Sequence, residues 1–131
     1  MPSFLDELTW RGLLSQTTEG AAEALAAGQL AGYCGFDPTA DSLHVGSLVP
    51  IMGLVHLQRA GHRPVPLVGG GTGLIGDPSG RASERPLADM QVIESNALAI
   101  RKQLERFLDF SGPTAAMLRN NADWLVPLGA V

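Results

Sequence analysis

The chain has 131 residues, a net charge of −4, and 45% hydrophobic against 17% charged residues. That balance is ordinary for a globular domain and excludes both a disordered chain and a strongly basic nucleic-acid arm. No stretch free of polar residues exceeds eight residues, as over 48–55, which is too short to span a bilayer. Asp6 and Glu7 stand where a leader peptide would be apolar, and the single cysteine, Cys34, has no partner for an internal disulfide, which fits a reducing cytoplasm.

Taken in chain order, residues 4–11 carry apolar groups at 4, 5, 8 and 10, a short helical pattern. Residues 15–18 read as a loop ending in an N-cap, followed by an alanine-rich helix over 19–27 that Gly28 closes. Residues 30–36 form a short apolar run suited to a buried strand. Helical spacing returns over 45–60, with Leu48, Ile51, Met52 and Val55 on one face and Pro50 near the first turn. Residues 64–68 predict a second strand, and 69–80 a glycine-rich loop. A long helix is expected over 89–107, with Ile93, Ala97, Ile100, Leu104 and Phe107 inward. Residues 115–118 are candidates for a third strand. His56 and His62 read as surface or structural histidines rather than ligands.

Alternating apolar strands and helices predict an α/β fold, a Rossmann-like parallel sheet flanked by helices. Right-handed crossovers place the segments after each strand at one sheet edge, where ligands bind. The two segments richest in Gly, Asp and His, 35–47 and 69–81, both follow strands, so they are expected to face each other across a crevice. Three strands make only half of such a sheet, and the apolar end at 124–131 reads as an interruption rather than a natural terminus.

The first of these segments reads Tyr33-Cys-Gly-Phe-Asp-Pro-Thr-Ala-Asp-Ser-Leu-His-Val-Gly-Ser47. It offers a strand end, a turn at Asp37-Pro38 and a helix start near His44, whose free N–H groups favour an anion. His44 adds a side-chain donor, and Gly46 removes a Cβ where a flat base could lie. The second segment contains Gly71-x-Gly73-x-x-Gly76 after a strand, with Glu94 further on, which is dinucleotide-binding spacing. Against that reading, Asp77-Pro78-Ser79-Gly80 is a turn sequence where the helix should run. The Gly-Lys-Ser/Thr of a phosphate-binding Walker loop is absent.

The order of residues in both segments resembles the tyrosyl branch of the class I aminoacyl-tRNA synthetases. The run 35–46 is similar to the long form of that family's His-x-Gly-His element, and 69–85 to its second glycine-rich motif. Asn120-Asn121 and Asp123-Trp124 resemble a further family run, read as turn and packing residues. The resemblance implies tyrosine activation by ATP with Mg2+, then transfer to tRNA(Tyr), by a cytoplasmic homodimer without a membrane role. It implies ATP contacts from Cys34, Gly35, Asp37, Thr39, His44, Gly46 and Ser47, and tyrosine contacts from Tyr33 and Asp77. Catalytic roles fall to His44, Ser47, Arg81 and Arg85, with no protein-held metal. Ser47 stands where the family usually has its second histidine, a shorter donor that carries no charge.

On this reading residues 1–29 are an N-terminal helical segment and 30–131 the first half of the nucleotide-binding domain. The Lys-Met-Ser-Lys-Ser loop, the aspartate that partners Tyr33, the dimer interface and the anticodon-binding region are expected beyond residue 131. Two rival readings stay open: a non-catalytic ATP-binding or interaction module, and a nicotinamide-dependent oxidoreductase resting on Gly71 to Gly76 alone. A helix running on from Gly73 would favour the latter.

Overall fold

The computed structural model describes residues 2–75 and 90–129. Helix α1 (Phe4–Trp10) starts on a reciprocal cap. The Ser3 hydroxyl accepts the Asp6 N–H at 3.2 Å, and the Asp6 carboxylate accepts the Ser3 N–H at 3.1 Å. These bonds satisfy donors that a helix start otherwise leaves free. The Ser3 hydroxyl, which also donates to the Asp6 carboxylate at 2.7 Å, and then the Ser3 N–H hold the Asp6 carboxyl below its usual pKa. Helix α2 spans Ala21–Ala27, two residues shorter than expected. Its N-cap is Gly20, at φ +79°, a left-handed turn that glycine enters without strain.

Strand β1 (Ala31–Phe36) leads through a loop and a 3₁₀ turn (Val45–Ser47) into α3 (Leu48–Arg59). Strand β2 (Arg63–Val68) follows, then α4 (Gly70–Ile75) and α5 (Met90–Leu104), then β3 (Arg119–Asn120) and α6 (Ala122–Leu125). The sheet has the order β1-β2-β3 and every pairing is parallel. Register runs from Ala31 opposite Arg63 to Phe36 opposite Val68. Among the described residues no helix is long and apolar enough to cross a membrane.

The third strand is shorter than 115–118 and lies later in the chain, and the prolines of β2 explain why. In a parallel ladder, alternate residues bond to opposite neighbours. Arg63 donates to Leu30 O at 2.8 Å on the β1 side, so Pro64, Pro66 and Val68 face β3. Prolines have no N–H to give. The Pro64 carbonyl still accepts from Met117 at 3.0 Å, but paired residues begin only at Leu67–Arg119 and Val68–Asn120.

One face of the sheet is closed and the other is open. Phe36, Val68, Pro64 and Pro66 are buried against Ile51, Leu54 and Leu57 of α3 and Ile100 and Leu104 of α5. Two expected inward positions do not belong to this core: Leu48 and Phe107 are both 41% exposed. Leu48 opens the first turn of α3, and Phe107 follows the end of α5 at Leu104. Leu54, Leu57 and His56 are buried in addition to the expected face of α3. His56 sits 3.6 Å from the Glu7 carboxylate, and His62 accepts the Leu30 N–H at 3.3 Å, so both histidines are structural.

Candidate functional site

The carboxyl ends of β1 and β2 are stitched together, because the Gly69 N–H donates to the Phe36 carbonyl at 2.9 Å. From there the two chain segments run side by side. A methyl placed on Gly69 would lie 3.4 Å from the Asp37 carboxylate, and one on Gly73 would lie 3.6 Å from the Pro38 ring. The segments 35–47 and 69–81 are therefore adjacent, and in contact, as far as the described residues reach. Asp77, Arg81 and Arg85 lie outside them.

Tyr33 projects onto the open sheet face, 75% exposed. It borders a shallow groove of about 350 Å³ floored by Ala31, Val65 and Leu67 and flanked by Arg119 and Trp124. That size lies within the roughly 300–1,000 Å³ of small-ligand pockets, and the mix of apolar floor and few polar groups is typical of them. Cys34 points the other way and packs against the core, where burial pushes its thiol pKa up and keeps it protonated. Gly35 returns to the open face, and nothing lies within 4 Å of where its Cβ would be.

At the start of α3, His44 is the cap of the 3₁₀ turn. Its Nδ1 accepts the Gly46 N–H at 3.1 Å. An accepting Nδ1 leaves the ring proton on Nε2, free to donate outward. The ring lies directly over Gly46, where a Cβ would come within 2.8 Å of His44 Cε1. The missing side chain at Gly46 therefore makes room for the imidazole. Ser47 is buried behind it, its N–H bonded to the His44 carbonyl at 2.9 Å. Asp37 and Thr39 are exposed on the intervening loop.

Residues 76–80 lie outside the described residues, and the described part of the glycine-rich segment departs from the expected loop. It is helical over Gly70–Ile75, and this helix begins in glycines that provide no capping side chain. The caps come from Asn120 and Asn121, fifty residues away. Asn120 Oδ1 accepts the Gly70 N–H at 3.1 Å, and Asn121 Oδ1 the Gly71 N–H at 2.7 Å. Asn121 Nδ2 also donates to the Thr72 hydroxyl at 3.2 Å. A role for these asparagines beyond packing escaped sequence reading. The available signal was a Gly-Gly-Gly helix start whose orphan N–H groups must find acceptors elsewhere. Among the described residues, no group of three or more His, Cys, Asp or Glu side chains is placed to hold a metal ion.

A parallel sheet with an apolar groove on its open face and a helix-start donor, His44, in the segment that follows β1 fits an α/β nucleotide-binding fold. The family model of the class I tRNA synthetases for W and Y matches residues 25–130. The chain belongs to that family. It is 54% identical over 129 residues to the tyrosine–tRNA ligase of Anaeromyxobacter dehalogenans strain 2CP-1, covering 98% of this chain and 31% of the relative. It is 55% identical over 131 residues to that of Chromobacterium violaceum, again with 98% and 31% coverage. The crystal structure of a C-terminally truncated mitochondrial tyrosyl-tRNA synthetase from Aspergillus nidulans superposes with a TM-score of 0.76 at 27% identity, covering 96% of this chain and 39% of that one. The chain thus spans 31% of the length of these two curated relatives.

Membership in this family removes the nicotinamide-dependent reading.

Proposed function

We propose that the chain supplies the tyrosine- and ATP-binding part of a tyrosine–tRNA ligase. The observation that carries this reading is the Tyr33 groove on the open face of the sheet, with the His44 donor in the segment that leaves the same strand. The names of the relatives favour tyrosine over tryptophan. On this reading residues 30–131 are the first half of the catalytic domain, and residues 1–29 a helical segment ahead of it. Full activity, with tRNA(Tyr) as acceptor, belongs to a cytoplasmic homodimer built from a longer chain.

The tyrosine side chain enters the open groove, and the Tyr33 hydroxyl meets its phenol. Tyr33 is 75% exposed here, so its hydroxyl discriminates against the analogue lacking a hydroxyl only where bound substrate shields it from water. ATP arrives as its Mg2+ complex and lies along Gly35, Asp37, Thr39 and the His44–Ser47 turn, with Cys34 behind the strand. A tyrosine carboxylate oxygen attacks the α-phosphorus, and the bond from that phosphorus to the bridging oxygen breaks. Tyrosyl-adenylate forms and pyrophosphate leaves with the bonding electron pair. No covalent enzyme intermediate is required, so catalysis is positioning and charge stabilisation. His44 Nε2–H and the N–H groups at the start of α3 donate to phosphate oxygens. Asp77 receives the substrate ammonium, and Arg81 and Arg85 the leaving pyrophosphate. Ser47 offers a hydroxyl where a histidine is usual, a weaker hold on the nucleotide. A ribose hydroxyl at the 3′ end of tRNA then attacks the tyrosyl carbonyl carbon, the bond to the adenylate oxygen breaks, and AMP leaves.

Tyrosine-dependent exchange of labelled pyrophosphate into ATP tests this directly. The expected result is exchange that needs tyrosine and disappears in His44→Ala while circular dichroism is unchanged. Exchange supported equally by tryptophan, or unaffected by His44→Ala, overturns the reading. A non-catalytic ATP-binding module would bind ATP and show no tyrosine-dependent exchange.

A further inference from the structure

The loop over 37–43 presents Asp37 and Thr39 and delivers the chain to His44. Among the described residues, no backbone–backbone hydrogen bond holds this loop. Two side chains of α5 hold it instead. Asn96 Nδ2 donates to the Pro38 carbonyl at 2.9 Å, and Gln103 Oε1 accepts the Leu43 N–H at 2.9 Å. The two carboxamides are seven residues apart, two helical turns or roughly 10 Å along one side of α5. They therefore grip the loop at its two ends.

We infer that Asn96 and Gln103 are positioning residues for the nucleotide, setting the shape of the 37–43 loop against α5. Docking of α5 does not require them, because Ile93, Ile100 and Leu104 are already buried at 3%, 0% and 0% exposure. Each carboxamide meets one specific backbone group, a donor at one end of the loop and an acceptor at the other. An apolar residue at either position would pack but would leave that group without its partner. The inference rests on the proposed ATP-binding role of the loop.

The two polarities make the test specific. Asn96→Asp keeps the shape and removes the donor; Gln103→Met removes the acceptor; Gln103→Glu keeps the acceptor. Equilibrium dialysis with ATP and, separately, with tyrosine is combined with hydrogen exchange at the Leu43 amide. Asn96→Asp and Gln103→Met are expected to weaken ATP binding roughly three- to tenfold, the scale of one lost hydrogen bond. Gln103→Glu should stay within about twofold, and tyrosine affinity should hold in all three. Because Gln103→Glu adds the same charge as Asn96→Asp, repulsion of phosphate would weaken both alike. Leu43 exchange should quicken in Gln103→Met and not in Gln103→Glu.

Parallel loss of ATP and tyrosine binding, or equal loss with Gln103→Glu, overturns the inference, as does unaltered Leu43 exchange in Gln103→Met. If the wild-type chain binds no ATP, the proposed function fails for this chain, and exchange at Leu43 alone decides whether the clamp exists.

Discussion

Asn121 accepts the Gly71 N–H at 2.7 Å, a buried hydrogen bond that joins the strand-end asparagine to the first turn of α4. A helix that starts in glycine has no side chain with which to cap itself, and a neighbouring strand has taken over that task. Replacing Asn121 with leucine would leave a buried donor unpaired. The expected cost is about 1–3 kcal/mol in urea unfolding. Asn121→Asp keeps the acceptor for Gly71 and loses only the donation to Thr72, so it should cost less. Equal losses would mean that the carboxamide merely fills space.

Gly35 offers the opposite case. No atom lies within 4 Å of the position its Cβ would take, so the protein's own packing does not demand a glycine there. Gly35→Ala is expected to stabilise the fold by about 0.5–1 kcal/mol, since glycine in a strand loses more entropy on folding. ATP binding should weaken in the same variant, measured by dialysis. Stability and affinity falling together would place the need for glycine in the fold instead.

His44 and Gly46 act as one unit, because the imidazole occupies the space a Cβ at Gly46 would fill. Gly46→Ala should displace the ring and weaken ATP binding by an amount close to that of His44→Ala. In the double variant the second change should add little, a strong coupling of the kind seen between contacting residues. Additive losses would show that Gly46 serves the nucleotide independently of His44.

His56 links α1 to pH. It is buried under α1, and its pKa is lowered first by burial, then by Arg11, with Arg59 adding to this and Glu7 opposing it. The folded state therefore takes up this proton only below the ordinary value of 6.5. Stability is fully present above that value and declines as pH falls from it through the folded pKa. The slope from this group is at most about 1.4 kcal/mol per pH unit. Thermal melts of the wild type and His56→Gln from pH 8 to 5 check this. The variant should lose that part of the slope, and an unchanged slope would contradict it.

Much of this architecture was legible in the sequence because apolar period and glycine placement report directly on burial. The runs 30–36 and 64–68 became β1 and β2 within a residue, and His44 fell at the helix start. The third strand was misplaced because apolar content marked 115–118, whereas the missing N–H groups of Pro64 and Pro66 decide where pairing begins. The stretch 70–75 reads as loop because glycine is a poor helix former, and caps supplied from Asn120 and Asn121 are invisible to any local window. The packing of the His44 ring over Gly46 is likewise hidden, because sequence spacing does not reveal the tilt of a ring. Asn96 and Gln103 carry no local signal at all, since their partners are 58 and 60 residues away.

The central claim is that tyrosine and ATP occupy adjoining places at one edge of this sheet. Amide chemical shifts of the ¹⁵N-labelled chain, titrated separately with each ligand, test it most directly. The account predicts that tyrosine perturbs Tyr33, Val65 and Leu67, that tryptophan does not, and that ATP perturbs 35–47. Shifts from ATP confined to other surfaces, or identical maps for tyrosine and tryptophan, would contradict it.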